Sequence, residues 1–146
     1  MVEGILTTDL PALESGRVGF VQDATAGIAV YLDMTPLMPI AAGTTVRLSG
    51  TIDERYGART LRVATSSITI IGPSAVPTPT IAATGAIDEA VEGVRVIVAG
   101  ITVGTATAYS DGLGYLVDDG TGPVRVIASS IALIIVLARS SCSSAI

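Results

Sequence analysis

The hydrophobic pattern of this chain is that of short strands. From Thr44 to Asp53 the residues Val46, Leu48, Gly50 and Ile52 alternate with Arg47, Ser49 and Thr51, the period-two pattern of a strand buried on one face. The same reading predicts strands over Val2–Thr8, Arg17–Asp23, Gly27–Asp33 and Thr60–Ile71. The turn ATAG makes a hairpin of the second and third, and ERYGAR links the fourth and fifth. Between the third and fourth lies MTPLMPIAAG, which its prolines suit to a helical turn or capping loop.

Part of this pattern occurs twice. GFVQDATAGIAVYL from Gly19 and GYLVDDGTGPVRVI from Gly114 share glycine, aromatic, aliphatic, aspartate and turn-glycine positions at an offset of 95. VEGILT and VAGITV match at 96, so one residue separates the copies in the loop between these blocks. Between the copies, Gly72–Gly85 carries three prolines and reads as a stiff linker. AIDEAVEG reads as a short helix ended by Gly93, and Val94–Val103 as a β-rich run before the second hairpin, Gly114–Ala128. The second copy then breaks off. In place of the fourth and fifth strands comes SSIALIIVLARSSCSSAI, in which Ile131–Leu137 is the candidate for an improvised fourth strand. Otherwise the chain is a fragment of something longer. The expected organisation is a first domain over 1–72, a linker over 73–85 and a partial second domain over 86–146, irregular or truncated from about 129. A three-stranded half-barrel leaves apolar edges open.

Composition narrows the chemistry. Apolar residues make up 49% of the 146 and aromatics 3%, so the core must be aliphatic. The mean hydropathy of +0.68 is high, yet the longest strongly apolar run, Ile131–Ala138, is less than half of the ~20 residues that a spanning helix needs. No signal peptide is read at the N-terminus. The chain has no His, Lys or Trp and a single Cys, Cys142. That removes a histidine base, a Schiff-base lysine, Cys/His zinc sites and an internal disulfide. Neither a catalytic residue nor a cofactor is expected. The net charge of −5 argues against a strong nonspecific grip on nucleic acid.

Five strands with a glycine-rich hairpin and a long connection between the third and fourth describe an OB-fold, the small five-stranded Greek-key barrel. The fold class expected is therefore all-β, an OB-fold with a second, truncated OB-like repeat. The string VEGILTTDLP…GRVGFVQDATAGIAVYLD…GTTVRLSGTIDERYGARTLRV resembles the OB-fold domains, often in tandem, of bacterial secreted nucleases and related extracellular proteins. The resemblance covers Val2–Ile71 well and Gly85–Ala128 in part. It implies an accessory module of an extracellular or cell-surface protein, whose catalytic or scaffold domain is missing from this chain. Single-stranded DNA or RNA is the ligand class it suggests.

OB-folds bind across strands two and three, flanked by the loops that join strands one to two and four to five. Residues 47–62 hold Arg47, Arg55, Arg59 and Arg62 against Asp53 and Glu54, a local excess of two positive charges. Tyr56 sits at the tip of that loop, and Tyr31 should share the outer face with Arg17. Candidate binding residues are thus Arg17, Tyr31, Arg47, Arg55, Tyr56, Arg59 and Arg62, which combine positive charge with stacking surfaces. The loop also reads as a plain solvated hairpin tip, and Tyr31 as simple strand propensity. Phe20, in phase with Val18, is expected in the core. In the second copy Tyr109 and Arg125 take comparable places, opposed by Asp118 and Asp119. Asp111, Asp118 and Asp119 match no calcium-loop template, and aspartates at turns are ordinary. Asp23 is expected to hold the ATAG turn. The tail LARSSC is set aside as a lipidation motif, because its Cys stands at the wrong end of the chain. Two functions are open: weak binding of single-stranded nucleic acid, or a structural spacer that docks a partner.

Overall fold

A computed structural model describes residues 1–110 and 112–128. Asp111, the run Ile131–Leu137 and Cys142 lie outside them. The described chain is all-β, and it divides into two units: Met1–Ala82 with Ile87–Ile97, and Ala83–Ala86 with 98–128.

In the first unit five strands, β1 (Val2–Leu6), β2 (Val18–Gln22), β3 (Gly27–Leu32), β4 (Thr44–Arg55) and β5 (Ala58–Pro73), form one sheet in the order β1-β2-β3-β5-β4. β1 pairs with both β2 and β4, so the sheet closes into a barrel. Closure requires β5 to pair in two ways. On one edge it runs parallel to β3 over Thr60–Val63, and on the other it runs antiparallel to β4 between Ala58 and Pro73, with a break in register between Leu48 and Gly50. Gly50 is required there: a Cβ would collide with the carbonyl oxygen of Arg62.

The barrel holds Leu6, Leu10, Val21, Val30, Leu32, Val46, Leu48, Leu61 and Val63, a core without an aromatic ring. Leu10 enters from the loop between β1 and β2, where it bridges Ile40 of the loop between β3 and β4. MTPLMPIAAG is therefore a capping loop, without a helical turn. Two positions depart from the expected burial. Phe20 is only partly buried, because in β2 it is Gly19 and Val21 that face inward and Leu10 that fills the space over Gly19. Ile52 keeps the inner phase of β4 but is 60% exposed, since the core ends before it.

The stretch expected as a linker is built into this unit as far as Ala82. β5 extends to Pro73, the Ser74 amide donates to the Gly43 carbonyl at 2.6 Å, and β6 (Thr80–Ile81) pairs in parallel with β7 (Val96–Ile97). In place of the expected helix over 86–93 there are two 3-10 turns, Thr84–Ala86, which ends at the first residue of that stretch, and Glu89–Val91, capped by Asp88. Residues 87–97 thus belong with the first unit rather than the second.

In the second unit β8 (Ile101–Tyr109), β9 (Gly112–Asp118) and β10 (Val124–Ala128) make an antiparallel sheet in the order β10-β9-β8. All nine residues of β8 are exposed. The turn after β9 is held by carboxylates: Asp118 accepts from the amides of Gly120 and Gly122, and Asp119 from the amides and hydroxyls of Thr84 and Thr121. These donors, Thr121 first, hold the Asp119 carboxyl far below the usual carboxylate range.

The closure at Gly50 makes a direct prediction. Gly50→Ala lowers stability by about 1–3 kcal/mol through backbone overcrowding, measured by urea unfolding. Gly72→Ala, where a Cβ meets nothing within 4 Å, stays within about 0.5 kcal/mol of the parent.

Candidate nucleic-acid interface

The outer face of β2, β3 and β5 is ordered around Tyr31. Its register neighbours are Val18 on β2 and Arg62 on β5. Val30 and Leu32 point into the core, so Tyr31 points out, as the alternation requires. Three guanidiniums surround its ring, with Cζ to centroid distances of 3.9 Å for Arg55, 4.7 Å for Arg17 and 5.6 Å for Arg62. Such contacts are favourable because the ring face is electron-rich.

Each arginine is positioned by a second contact. Arg17, just before β2, donates from Nε to the Leu32 carbonyl at 3.1 Å and from Nη2 to the Asp33 carbonyl. Arg55 meets Glu14 at 2.6 Å, and both side chains are about one-third exposed or less. That hydrogen bond raises the Arg55 pKa further above its already high value. Arg62 meets Asp53 at 3.3 Å with both side chains well exposed. Three guanidiniums and two carboxylates leave one net positive charge at the ring.

The tip of the β4–β5 hairpin has two residues, Tyr56 and Gly57, with φ of 54° and 81°. Positive φ at both positions is the mark of the turn whose twist suits a hairpin. A tyrosine is an unusual occupant of the first position. It is 90% exposed there, with Arg55 at 5.4 Å from its ring. Beside it a recess of about 160 Å³ is floored by Phe20, Ala29 and Thr60 and edged by Arg55, Tyr56 and Arg59. Phe20 is the residue of this face that sequence phase misassigned. The signal that could have found it is the pairing of Val21 with Ile28, which sets both inward.

Of the seven candidates the structure brings together Arg17, Tyr31, Arg55, Tyr56 and Arg62. Arg47 is elsewhere, on the β1–β4 pair, in a cross-strand ion pair with Glu3 at 2.8 Å. Arg59, second in β5, edges the recess beside Tyr56 but is not among the guanidiniums at the Tyr31 ring, and its amide donates to the Glu92 carboxylate at 2.7 Å. In the second unit Arg125 lies 5.8 Å from the Tyr109 ring. Asp23 accepts from the Thr25 and Ala26 amides and the Thr25 hydroxyl, the turn-holding role expected of it. Those bonds, led by the Thr25 hydroxyl, lower its pKa. Among the described residues no three or more His, Cys, Asp or Glu side chains group as metal ligands, and no helix is long and apolar enough to cross a membrane.

The chain matches no protein-family model, and no curated protein or solved structure is detectably similar to it.

The Arg55–Glu14 contact joins the loop between β1 and β2 to the β4–β5 hairpin. A double-mutant cycle on Arg55→Ala and Glu14→Ala, followed by urea unfolding, is expected to give a coupling of about 0.5–1 kcal/mol. A coupling of zero would mean that the two loops are positioned independently.

Proposed function

We propose that the first unit is an OB-fold barrel and a non-catalytic module with weak affinity for single-stranded DNA or RNA. The fold assignment is supported by the strand order β1-β2-β3-β5-β4, its closure and the parallel β3–β5 pair. The function rests on one observation: three guanidiniums converge on a single tyrosine ring. They do so on the face and between the loops where such barrels take oligonucleotides. Exposed Tyr56 offers a second ring for stacking. Phosphates supply the anion for the arginines and bases the π-face for the tyrosines.

The affinity is limited by charge. Glu14 and Asp53 offset two of the three arginines, and the chain as a whole carries −5. We read the second unit as an incomplete copy of the same design. In both, the phrase glycine is buried, Gly19 beneath Leu10 and Gly114 beneath Tyr109, and an aspartate holds the turn that follows. In this reading the chain is an accessory part of a larger, extracellular protein.

A structural or docking role is the second reading. Its support is the apolar exposure of the second unit, where Ile101 is 72% and Ile127 52% accessible.

Fluorescence anisotropy of labelled single strands of about 15 nucleotides separates the two. Binding at low salt should weaken with a log–log salt slope no steeper than about −2, given three arginines. Tyr31→Ala and Arg62→Ala should each weaken it, Tyr31→Ala by about 1–3 kcal/mol. Absence of binding at low salt overturns the nucleic-acid reading and leaves the docking one.

A further inference from the structure

One end of the barrel is not closed by its own core. There β1 begins, the β2–β3 hairpin turns, and β4 runs on past Leu48, so that Ile52 faces inward with nothing packed beneath it. The segment after β6 returns over this end. Its path is fixed by close backbone contact between Gly27 and Gly93, where a Cβ on either would collide with the backbone of the other. Gly93 has φ of 71°. Two side-chain bonds add to this: the Arg95 amide donates to Gln22 Oε1 at 2.9 Å, and the Arg59 amide to Glu92 Oε1 at 2.7 Å.

The returning segment bridges the opening without filling it. A cleft of about 690 Å³ remains, within the range that small-molecule sites occupy. Its walls are aliphatic: Val2, Val21, Ile28 and Ile52 from the barrel, Val94 from the returning segment. Its polar groups are mostly of one sign. Glu3, Asp23, Glu89 and Glu92 line it against the single cation Arg59. Glu3 is neutralised by Arg47, and Asp23 is occupied by its turn. The Glu89 side chain makes no hydrogen bond or ion pair among the described residues, which leaves Glu89 and Glu92 to set the charge of the mouth.

We propose that this cleft is a small-molecule site for a hydrophobic monocation, an amine or guanidinium head on an apolar body. The apolar body lies against Ile28, Ile52 and Val94, and the head faces Glu89 and Glu92. An anionic ligand of the same shape is disfavoured by the same carboxylates. The cleft shares Arg59 and Glu92 with the recess beside Tyr56 but contains none of Arg17, Tyr31, Arg55, Tyr56 and Arg62, so it does not depend on the nucleic-acid reading.

The test compares two probes with the same body, 4-phenylbutylamine and 4-phenylbutyrate, by amide NMR titration of the full chain. The amine should shift Gly27, Ala90 and Val94 and bind about fivefold more tightly than the carboxylate, the scale of one partly exposed ion pair. Glu89→Gln should reduce that preference. Ala90→Trp and Ile52→Trp fill the cleft from opposite walls and should each abolish the shifts. Ile52 is exposed on a strand, so its replacement preserves the barrel even if Ala90→Trp fails to fold. Equal binding of both probes, no shifts with the amine, or shifts that survive in folded Ile52→Trp would overturn the proposal.

Discussion

The barrel depends on one strand that serves two neighbours. Over Thr60–Val63 β5 lies between β3, to which it is parallel, and β4, to which it is antiparallel, and it continues antiparallel along β4 to Pro73 after a break in register. Gly50 permits this arrangement because β5 passes where its side chain would be. With β5 so placed, Leu61 and Val63 complete the core and Arg62 is delivered to the outer face beside Tyr31. The same closure gathers the two loops that carry Glu14 and Arg55. Core and candidate interface are therefore two faces of one constraint.

The second feature is the division of aromatic from aliphatic residues. The closed interior uses only Val and Leu, which fill a small barrel without a polar atom to satisfy. Phe20, Tyr31 and Tyr56 are all left outside it, on or beside one face. Of these rings Tyr31 has three arginines around it and Tyr56 one, the arrangement on which the proposed function rests. The second unit lacks such a division. Its sheet buries only Gly114 among the described residues of its three strands, and its Tyr109 covers that glycine.

Much of this was legible in the sequence, and the failures share a cause. Strand positions followed from alternation and turn residues, and Tyr31 and Arg17 were placed together by hairpin register alone. Phe20 was misphased because Gly19 looks like a gap in the apolar pattern, while the residue that fills it, Leu10, comes from the loop before β2 rather than from the strand itself. Ile52 obeyed its alternation, but local pattern does not say where a barrel ends. Arg47 looked like one of a basic group until its cross-strand partner Glu3, 44 residues away, was known. The proline-rich segment looked like a spacer because its pairing, Thr80–Ile81 with Val96–Ile97, is short and nonlocal. Each error turns on tertiary packing that the local pattern of the chain does not carry.

The central claim is that the face around Tyr31 is a ligand surface rather than a solvated sheet. Amide NMR of the isotopically labelled chain, titrated with oligothymidylate at low salt, addresses it residue by residue. The account predicts shifts concentrated at Arg17, Tyr31, Arg55, Tyr56 and Arg62, with Glu3 and Arg47 unmoved. Shifts confined to the β1–β4 face, or none at all, would contradict it.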